Sequence, residues 1–324
     1  MPNAIRFHET GGPDVLRWEP VTVGDPGAGE VRIRHHAVGL NFIDVYHRSG
    51  VYPVPLPSGL GVEGAGLVEA VGDGVTDFQA GDRVSYAGGP LGSYSEVRVM
   101  SADRLVPLPP SLSFEQGAAV TLQGLTAHYL LRRTYRVQPG ETILVHAAAG
   151  GVGLIMCQWA RVLGATVIGT VSTDAKAELA RAHGCHHTIV TSRERFVDRV
   201  RAITGGEGLP VVYDSVGRET FMDSLACLKP RGLMVSFGNA SGVVPPFDIG
   251  VLARMGSLFL TRPTLFNYTT RREELLAGAR ELFEVVAGGN VKIAVNQVYP
   301  LVEAAQAHRD LEARRTTGST VLIP

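Results

Sequence analysis

The sequence feature that most constrains the fold is a strand, a glycine loop, a helix and a second strand between Thr142 and Val171. The loop is His146-Ala-Ala-Ala-Gly150-Gly151-Val152-Gly153, with Ala147 in the place of the first glycine of GxGxxG. Glycines permit a tight turn there, and N–H groups at the start of a helix bind a pyrophosphate. The pattern predicts a dinucleotide-binding loop. The alternative is a turn of small residues that packs a helix on a sheet.

Strands and helices continue to alternate after this loop. The predicted strands cover 142–146, 166–171, 187–190, 211–213 and 233–237, and the predicted helices cover 152–163, 174–183, 193–204 and 219–228. Alternation of this kind is typical of a parallel, doubly wound sheet. A later helix over 272–287 and a last strand over 320–323 are also predicted.

The first 120 residues have a different pattern, with short strands between turn signals. Residues 31–38 partly alternate apolar and polar side chains, and residues 66–72 form another strand that ends in a glycine turn. Ser113 and Gln116 have the spacing of a helix capping box, and a second helix is predicted over 124–134. The pattern indicates a β-rich region that gives way to helices near residue 115.

The end of the second strand in the αβ region bears on cofactor choice. NAD sites tend to place Asp or Glu there, where it holds the ribose 2′-hydroxyl. Here the strand runs into Ser172, Thr173 and Lys176, whose hydroxyls and cation suit a 2′-phosphate. Asp174 is expected in the first turn of the following helix, where a carboxylate suits the helix dipole. NADPH is therefore favoured over NADH. The alternative is a capped helix start with a solvated lysine.

Composition excludes several other classes of protein. The net charge is −1, so no global field attracts nucleic acid or an anionic membrane. The three cysteines form no CxxC pair and are expected to be free, buried thiols: Cys157, Cys185 and Cys227. The start of the chain lacks the pattern of a secretory signal, and the longest wholly apolar run, 147–157, is too short to span a bilayer. A cytoplasmic protein that binds neither nucleic acid nor membrane is predicted.

Several strings outside the glycine loop complete a family pattern. They are Gly140-Glu141, Gln158 and Arg161 around the loop, Asn41-Phe-Ile-Asp44-Val-Tyr46, Tyr213-Asp-Ser-Val-Gly217, Val235-Ser-Phe-Gly-Asn239 and Gly318-Ser-Thr-Val-Leu-Ile-Pro324. With them the chain resembles the quinone oxidoreductase (zeta-crystallin-like) branch of the medium-chain dehydrogenases/reductases over essentially its whole length. The resemblance implies an α/β protein, in which a Rossmann doubly wound parallel sheet is inserted into a β-rich GroES-like catalytic domain. It also implies NADPH as cofactor and a quinone as acceptor.

This chain departs from the zinc-dependent members of that superfamily. Those members carry a cysteine in the segment aligned with Asn41–Asp44 and a Gly-His-Glu string, whereas this chain has Gly61-Val62-Glu63. A zinc site needs about three N, S or O ligands from the protein, so no metal is predicted and Glu63 is interpreted as a structural carboxylate. Without a Lewis acid, a conjugated acceptor that spreads negative charge is favoured over a simple carbonyl.

The resemblance places six side chains around the nicotinamide and the acceptor: Asn41, Asp44, Tyr46, Tyr52, Gln123 and Thr126. We expect Asn41 and Thr126 to orient the nicotinamide carboxamide or the ribose. Tyr46 is expected to help hold the nicotinamide end, and Tyr46 or Tyr52 to donate a hydrogen bond to the acceptor oxygen. The alternative for each tyrosine is packing alone.

The loop and the resemblance together imply a larger set of cofactor contacts. They are Asn41, Phe42, Tyr46, Thr126, Tyr129, Gly150, Gly151, Val152, Ser172, Thr173, Lys176, Thr191, Val216, Phe237, Gly238, Asn239, Ser241 and Arg314. Thr191 appears where related enzymes often place a tyrosine near the adenosine. Arg314 has a solvated surface residue as its alternative.

Two other functions are consistent with the sequence. One is an NADPH-dependent enal or enone reductase of the same superfamily, and the other is an RNA-binding or structural zeta-crystallin-like protein. The resemblance further implies a GroES-like catalytic domain over 1–122 plus 266–324, a Rossmann NADPH-binding domain over 123–265, and a homodimer.

Overall fold

The computed structural model describes all 324 residues, Met1–Pro324. The strands are β1 Asn3–Phe7, β2 Arg17–Pro20, β3 Glu30–Leu40, β4 Ser58–Gly59, β5 Glu63–Val71, β6 Arg83–Ala87, β7 Val97–Ser101, β8 Leu105–Pro107, β9 Thr142–Val145, β10 Thr166–Val171, β11 His187–Val190, β12 Leu209–Asp214, β13 Leu228–Ser236, β14 Phe259–Thr261, β15 Val295–Pro300 and β16 Ser319–Ile323. The helices are α1 Phe42–Arg48, α2 Phe114–Tyr129, α3 Gly151–Val162, α4 Asp174–Ala182, α5 Phe196–Ile203, α6 Phe221–Leu225, α7 Gly250–Arg254, α8 Leu265–Tyr268, α9 Arg272–Ala287 and α10 Ala304–Glu312.

The chain forms two compact units. The first contains Met1–Leu125, Thr269–Phe283 and Ile293–Pro324, and the second contains Thr126–Tyr268 and Glu284–Lys292. The domain limits given above from the family resemblance remain a prediction.

The second unit is built on a six-stranded sheet in the order β11-β10-β9-β12-β13-β14, with every neighbouring pair parallel. Counted from β9, this is the 3-2-1-4-5-6 order of a Rossmann sheet, so the predicted doubly wound fold is confirmed. The carboxyl ends of β9 and β10 carry the glycine loop and the segment from Ser172, respectively. Buried residues of the central strands, among them Leu144, Ile168 and Val212, belong to the hydrophobic core.

The first unit is β-rich. One sheet has three antiparallel strands in the order β2-β1-β4, and the other follows the path β15-β16-β3-β5-β6-β8, with β7 also paired to β3. One hydrophobic cluster unites residues from both ends of the sequence, including Phe7, Leu40, Leu301 and Leu322. This long-range packing holds α1, which directly follows β3, beside α10.

The local predictions are confirmed at most elements and wrong at two. Ser113 and Gln116 form the predicted capping box. The Ser113 N–H donates to Gln116 Oε1 at 2.9 Å, and the Gln116 N–H donates to Ser113 Oγ at 3.2 Å. The separate helix over 124–134 is wrong, because α2 runs on through Gly124 and ends in a π-helical turn. A Cβ on Gly124 would lie 2.5 Å from Leu282 Cδ1, so this glycine permits close packing and does not end the helix.

The helix predicted over 219–228 is shorter than expected, because only Phe221–Leu225 is helical. Leu228 is instead the first residue of β13, where it pairs with Leu209 of β12. Tertiary pairing therefore overrides the local preference at this position. No helix in the structure combines the length and the apolar character that crossing a membrane requires.

Candidate active site

The glycine loop lies between β9 and α3, as predicted. Ala147 has a φ of 51°, the left-handed region that favours glycine, which explains why a glycine occupies this place in the usual loop. A Cβ on Gly153 would lie 2.4 Å from Ala147 O and 2.8 Å from Ala148 Cα, so only glycine fits there. Gly150 precedes α3 without a side-chain cap. The first-turn N–H groups at Gly151 and Val152 therefore lack helical partners and suit a pyrophosphate.

The segment after β10 forms the predicted helix start. Thr173 caps α4, since its Oγ1 accepts a hydrogen bond from the Lys176 N–H at 3.3 Å. Asp174 occupies the first turn of α4 and forms an ion pair with Arg193. This arginine neutralises the carboxylate that would otherwise oppose a 2′-phosphate. Thr191 is exposed, and its Oγ1 donates to Val171 O at 3.2 Å.

The loops after β12 and β13 approach each other closely. Asp214 Oδ1 accepts the N–H groups of Val216 and Gly217 at 2.8 and 3.0 Å. Val216 O accepts from the Ser241 N–H and Oγ, each at 2.8 Å. Any contact of Val216 with a cofactor is therefore made by its side chain. A Cβ on Gly238 would lie 2.4 Å from Ser215 O.

Asn239 and Phe237 follow β13 in the second of these loops. With its amide oxygen turned toward Arg262, Asn239 accepts from the guanidinium at 3.0 Å and donates to Gly238 O at 2.9 Å. Arg262 also donates to Ser236 O at 2.8 Å. Phe237 is half-buried. Arg262 was not predicted, because it lies in a segment without any motif.

In the first unit, a buried network of hydrogen-bonded side chains holds the predicted residues Asn41 and Gln123. Asn41 Nδ2 donates to Glu63 Oε2 at 2.7 Å, and Gln123 Nε2 donates to Asn41 Oδ1 at 3.1 Å. The Ser319 hydroxyl donates to Gln123 Oε1 at 2.7 Å, while the Leu122 N–H donates to Glu63 Oε1 at 2.7 Å. Both amide orientations are thereby fixed. Glu63 is fully buried, and burial raises its pKa to about 8.

Asp44 lies on α1, next to this hydrogen-bond network, and is also fully buried. Its Oδ2 accepts the Asn41 N–H at 2.9 Å and the Tyr94 hydroxyl at 3.0 Å. Its Oδ1 is buried without a hydrogen-bond partner. Burial raises the pKa of this carboxyl to about 7, although the two hydrogen bonds oppose the shift. The first unit thus holds two buried carboxyls that titrate near neutral pH.

Three predicted aromatic residues form a cluster on α1 and the turn after it. The Tyr46 and Tyr52 rings meet edge to face with centroids 5.2 Å apart, and the Phe42 and Tyr46 centroids are 6.2 Å apart. The Tyr52 N–H donates to Tyr46 O at 3.0 Å, which fixes the turn. Tyr46 is largely buried and Tyr52 is half-buried. The cluster is consistent both with a wall and with a donor to a ligand.

Three other predicted residues lie elsewhere. Thr126 and Tyr129 are on the last turns of α2, and the Tyr129 ring stacks on Tyr268 with centroids 4.5 Å apart. Arg314 is exposed, follows α10 and has a φ of 59°. An open cavity of about 620 Å³ on the first unit is lined by Arg6, Ser95 and Arg98, among others, and by none of the predicted residues. That cavity is separate from the candidate site.

The donor set beside Asn41 does not fit a zinc ion. Val62 offers no donor atom, and both oxygens of Glu63 already accept hydrogen bonds. Asp44 Oδ1 is the one oxygen there that has no partner. Zinc needs about three protein ligands, and no group of three His, Cys, Asp or Glu side chains in the chain is placed to hold a metal.

Two domain families match the chain. Residues 27–110 match the alcohol dehydrogenase GroES-like domain, and residues 151–284 match the zinc-binding dehydrogenase domain. With the Rossmann order of the second unit, these matches define the class of protein, a medium-chain dehydrogenase/reductase.

Full-length relatives narrow the class. A quinone oxidoreductase from Pseudomonas aeruginosa is 57% identical over 325 residues, covering 100% of both chains. The crystal structure of Escherichia coli quinone oxidoreductase complexed with NADPH has a TM-score of 0.98 at 53% identity, covering 99% of this chain and 100% of that chain. A 2-haloacrylate reductase from Burkholderia sp. is 50% identical, covering 100% of this chain and 99% of that protein. The chain belongs to the quinone oxidoreductase branch of the medium-chain dehydrogenases/reductases, and the resemblance found in the sequence is confirmed.

Proposed function

We propose that this chain is an enzyme that reduces quinones with NADPH. The observation that carries the proposal is the full-length likeness to the E. coli quinone oxidoreductase complexed with NADPH. The glycine loop fits the cofactor because Gly153 and the uncapped start of α3 leave a narrow cradle of N–H groups. When bound, NADPH supplies a hydride to the acceptor.

The chain's own residues are proposed to bind and orient the two reactants. The N–H groups of Gly151 and Val152 hold the pyrophosphate, while Ser172, Thr173 and Lys176 hold the 2′-phosphate. The remaining contacts follow the family resemblance and are proposed for Gly150, Thr191, Val216, Phe237, Gly238, Asn239, Ser241, Tyr129 and Arg314.

Around the acceptor, Asn41, Gln123 and Thr126 are proposed to orient the nicotinamide end, with Phe42 beside them. Glu63 sets the direction of the Asn41 amide through the 2.7 Å hydrogen bond. Tyr46 or Tyr52 donates a hydrogen bond to the acceptor oxygen as negative charge develops there, and solvent supplies the final proton. Tyr46→Phe and Tyr52→Phe test this role. The role is excluded if both variants keep wild-type turnover.

The decisive experiment compares acceptors and cofactors in one steady-state assay. NADPH oxidation is measured with a small quinone, with a conjugated enal and with 2-chloroacrylate, and each assay is repeated with NADH. We expect the largest kcat/KM for the quinone with NADPH. A higher kcat/KM for the enal or the haloacrylate would favour the alternative that the 2-haloacrylate reductase relative suggests.

We also propose that the protein is a cytoplasmic homodimer joined through the edges of its parallel sheets. β14 is an edge strand, and its Phe259 side chain is 61% exposed. An apolar edge strand of this kind is suited to pairing with another chain. Light scattering after gel filtration should show twice the mass of the chain, and Phe259→Lys should shift it to the monomer.

A further inference from the structure

A chain of buried side chains links α10 to Asp44 in the first unit. Arg48 Nη1 lies 3.0 Å from His308 Nδ1, His308 Nε2 lies 3.3 Å from the Tyr94 hydroxyl, and that hydroxyl lies 3.0 Å from Asp44 Oδ2. All four side chains are at least 98% buried. At the outer end, Arg48 binds the two carboxylate oxygens of Glu312 at 2.9 Å each.

The direction of each hydrogen bond in this chain is determined by chemistry. A guanidinium only donates, so His308 Nδ1 must accept from Arg48. Burial and then the nearby Arg48 charge lower the pKa of His308 to about 3, so the ring is neutral and its one proton is on Nε2. His308 therefore donates to the Tyr94 oxygen. The Tyr94 proton then points to Asp44 Oδ2.

This arrangement distinguishes the two oxygens of Asp44. Oδ2 accepts from both Tyr94 and the Asn41 N–H, whereas Oδ1 has no partner. A proton on the carboxyl therefore resides on Oδ1. If Asp44 ionises, its charge is shared by the two oxygens, and the share on Oδ1 has no donor in a fully buried position, on the helix that Asn41 caps and that carries Tyr46.

We propose that Tyr94, His308 and Arg48 are positioning residues for the reduction proposed above: they direct the Tyr94 hydrogen bond onto Asp44 Oδ2, where the Asn41 N–H also donates, and so place the carboxyl proton on Oδ1 and keep the first turn of α1 in the geometry that turnover requires. The inference rests on the proposed function. It assigns a role to three residues far apart in the sequence.

The groups that face Asp44 set the pH at which it ionises. Tyr94 donates to it, and Glu63 on β5 is close enough for the two carboxyls to raise each other's energy when charged. Arg48 and Glu312 form an ion pair farther along the chain, with His308 between Arg48 and Tyr94. Burial raises the pKa of Asp44 to about 7. Turnover should therefore fall as the pH rises through about 7.

The first test is the pH profile of kcat in the full-length protein. Tyr94→Phe removes a hydrogen bond to the charged carboxylate, and His308→Leu removes the donor to the Tyr94 oxygen that directs the Tyr94 proton toward Asp44. Both changes should raise the pKa of Asp44 and move the midpoint of the fall upward by about one pH unit. His308→Gln offers an acceptor to Arg48 and a donor to Tyr94, and it should restore the wild-type midpoint. A merely structural role would lower kcat equally at every pH. An unmoved midpoint in both variants overturns the proposal.

A second measurement needs neither cofactor nor quinone. The infrared difference spectrum between wild type and Asp44→Asn should contain the carbonyl band of a protonated carboxyl at pH 5.5 and a carboxylate band at pH 8.5. A carboxylate band at both values overturns the placement of the proton. Presence of the titrating band in a protein that reduces no quinone would refute the proposed function and the role in turnover, while the proton on Asp44 would stand.

Discussion

The groups proposed to bind ligand in the second unit and those in the first unit are built from different components of the chain. In the second unit, the glycine loop offers backbone N–H groups, and its shape depends on Ala147 and Gly153 approaching each other closely. In the first unit, side chains from β5, the N-cap of α1, α2 and β16 form the buried hydrogen-bond network from Glu63 to Ser319. A backbone site is sensitive to added atoms, whereas a side-chain network is sensitive to lost hydrogen bonds. The predictions below test this contrast.

The largest effect is expected at Gly153. A Cβ there meets the backbone of Ala147 and Ala148 at 2.4 and 2.8 Å, so the loop must move away from its present position. Gly153→Ala should weaken NADPH binding at least about 100-fold, about 2.7 kcal/mol, measured by fluorescence titration. Gly150→Ala is the matched comparison, because its Cβ would lie 3.3 Å from Ala147 O, and it should cost only a few-fold. Equal losses would refute the close-approach argument.

The next effect concerns Glu63. Glu63→Ala leaves the Asn41 amide and the Leu122 N–H without their acceptor, and each buried unsatisfied donor costs about 1–3 kcal/mol. We expect a loss of about 2 kcal/mol in the free energy of unfolding by urea denaturation, together with a lower kcat. Glu69→Ala on the same strand is the control. It removes partly exposed ion pairs with Arg32 and Arg34, so it should cost less than about 1 kcal/mol.

The contrast also explains what the sequence could predict. The glycine loop, the capping box at Ser113 and the alternation of strands and helices depend on residues close together in the chain, so local patterns predict them. Tyr94 and Asp44 are 50 residues apart, and Arg48 and His308 are 260 apart. No local pattern brings such residues together. The α10 helix that carries His308 was not predicted either, because its buried positions are mostly small alanines.

The role of Glu63 could be predicted from the sequence, but its hydrogen-bond partners could not. Its interpretation as a structural carboxylate came from the missing imidazole at Val62, and the structure confirms that both of its oxygens hold neighbouring groups. No sequence pattern indicated that those groups include Asn41. Side-chain networks therefore require the tertiary structure, whereas backbone sites are largely encoded by glycine spacing.

A pH-dependent effect follows from His35, which is buried on β3. Its Nδ1 lies 2.7 Å from Ser95 O and its Nε2 lies 2.7 Å from the Tyr86 hydroxyl. Burial lowers its pKa from 6.5 to about 3. The folded state therefore binds this proton more weakly than the unfolded state, so the stability from the neutral ring is complete above pH 6.5 and is lost as the pH falls toward 3.

The corresponding slope is about 1.4 kcal/mol per pH unit for one histidine. His35→Gln should remove that slope from the free energy of unfolding measured between pH 6 and 4, apart from a constant destabilisation. His36→Gln is the control on the same strand, because His36 is exposed and stacks on Phe114. An unchanged slope in His35→Gln would contradict the neutral buried ring.

The smallest effect is expected at Lys176, whose side chain is proposed to contact the 2′-phosphate. Lys176→Ala should raise KM for NADPH about tenfold, about 1.4 kcal/mol, because one partly solvated charge pair with a phosphate is lost. KM for NADH should stay the same, since that cofactor has no 2′-phosphate. Lys229→Ala, at an exposed position of β13, should change neither value. A parallel rise for both cofactors would show that the lysine supports the start of α4 and does not select the phosphate.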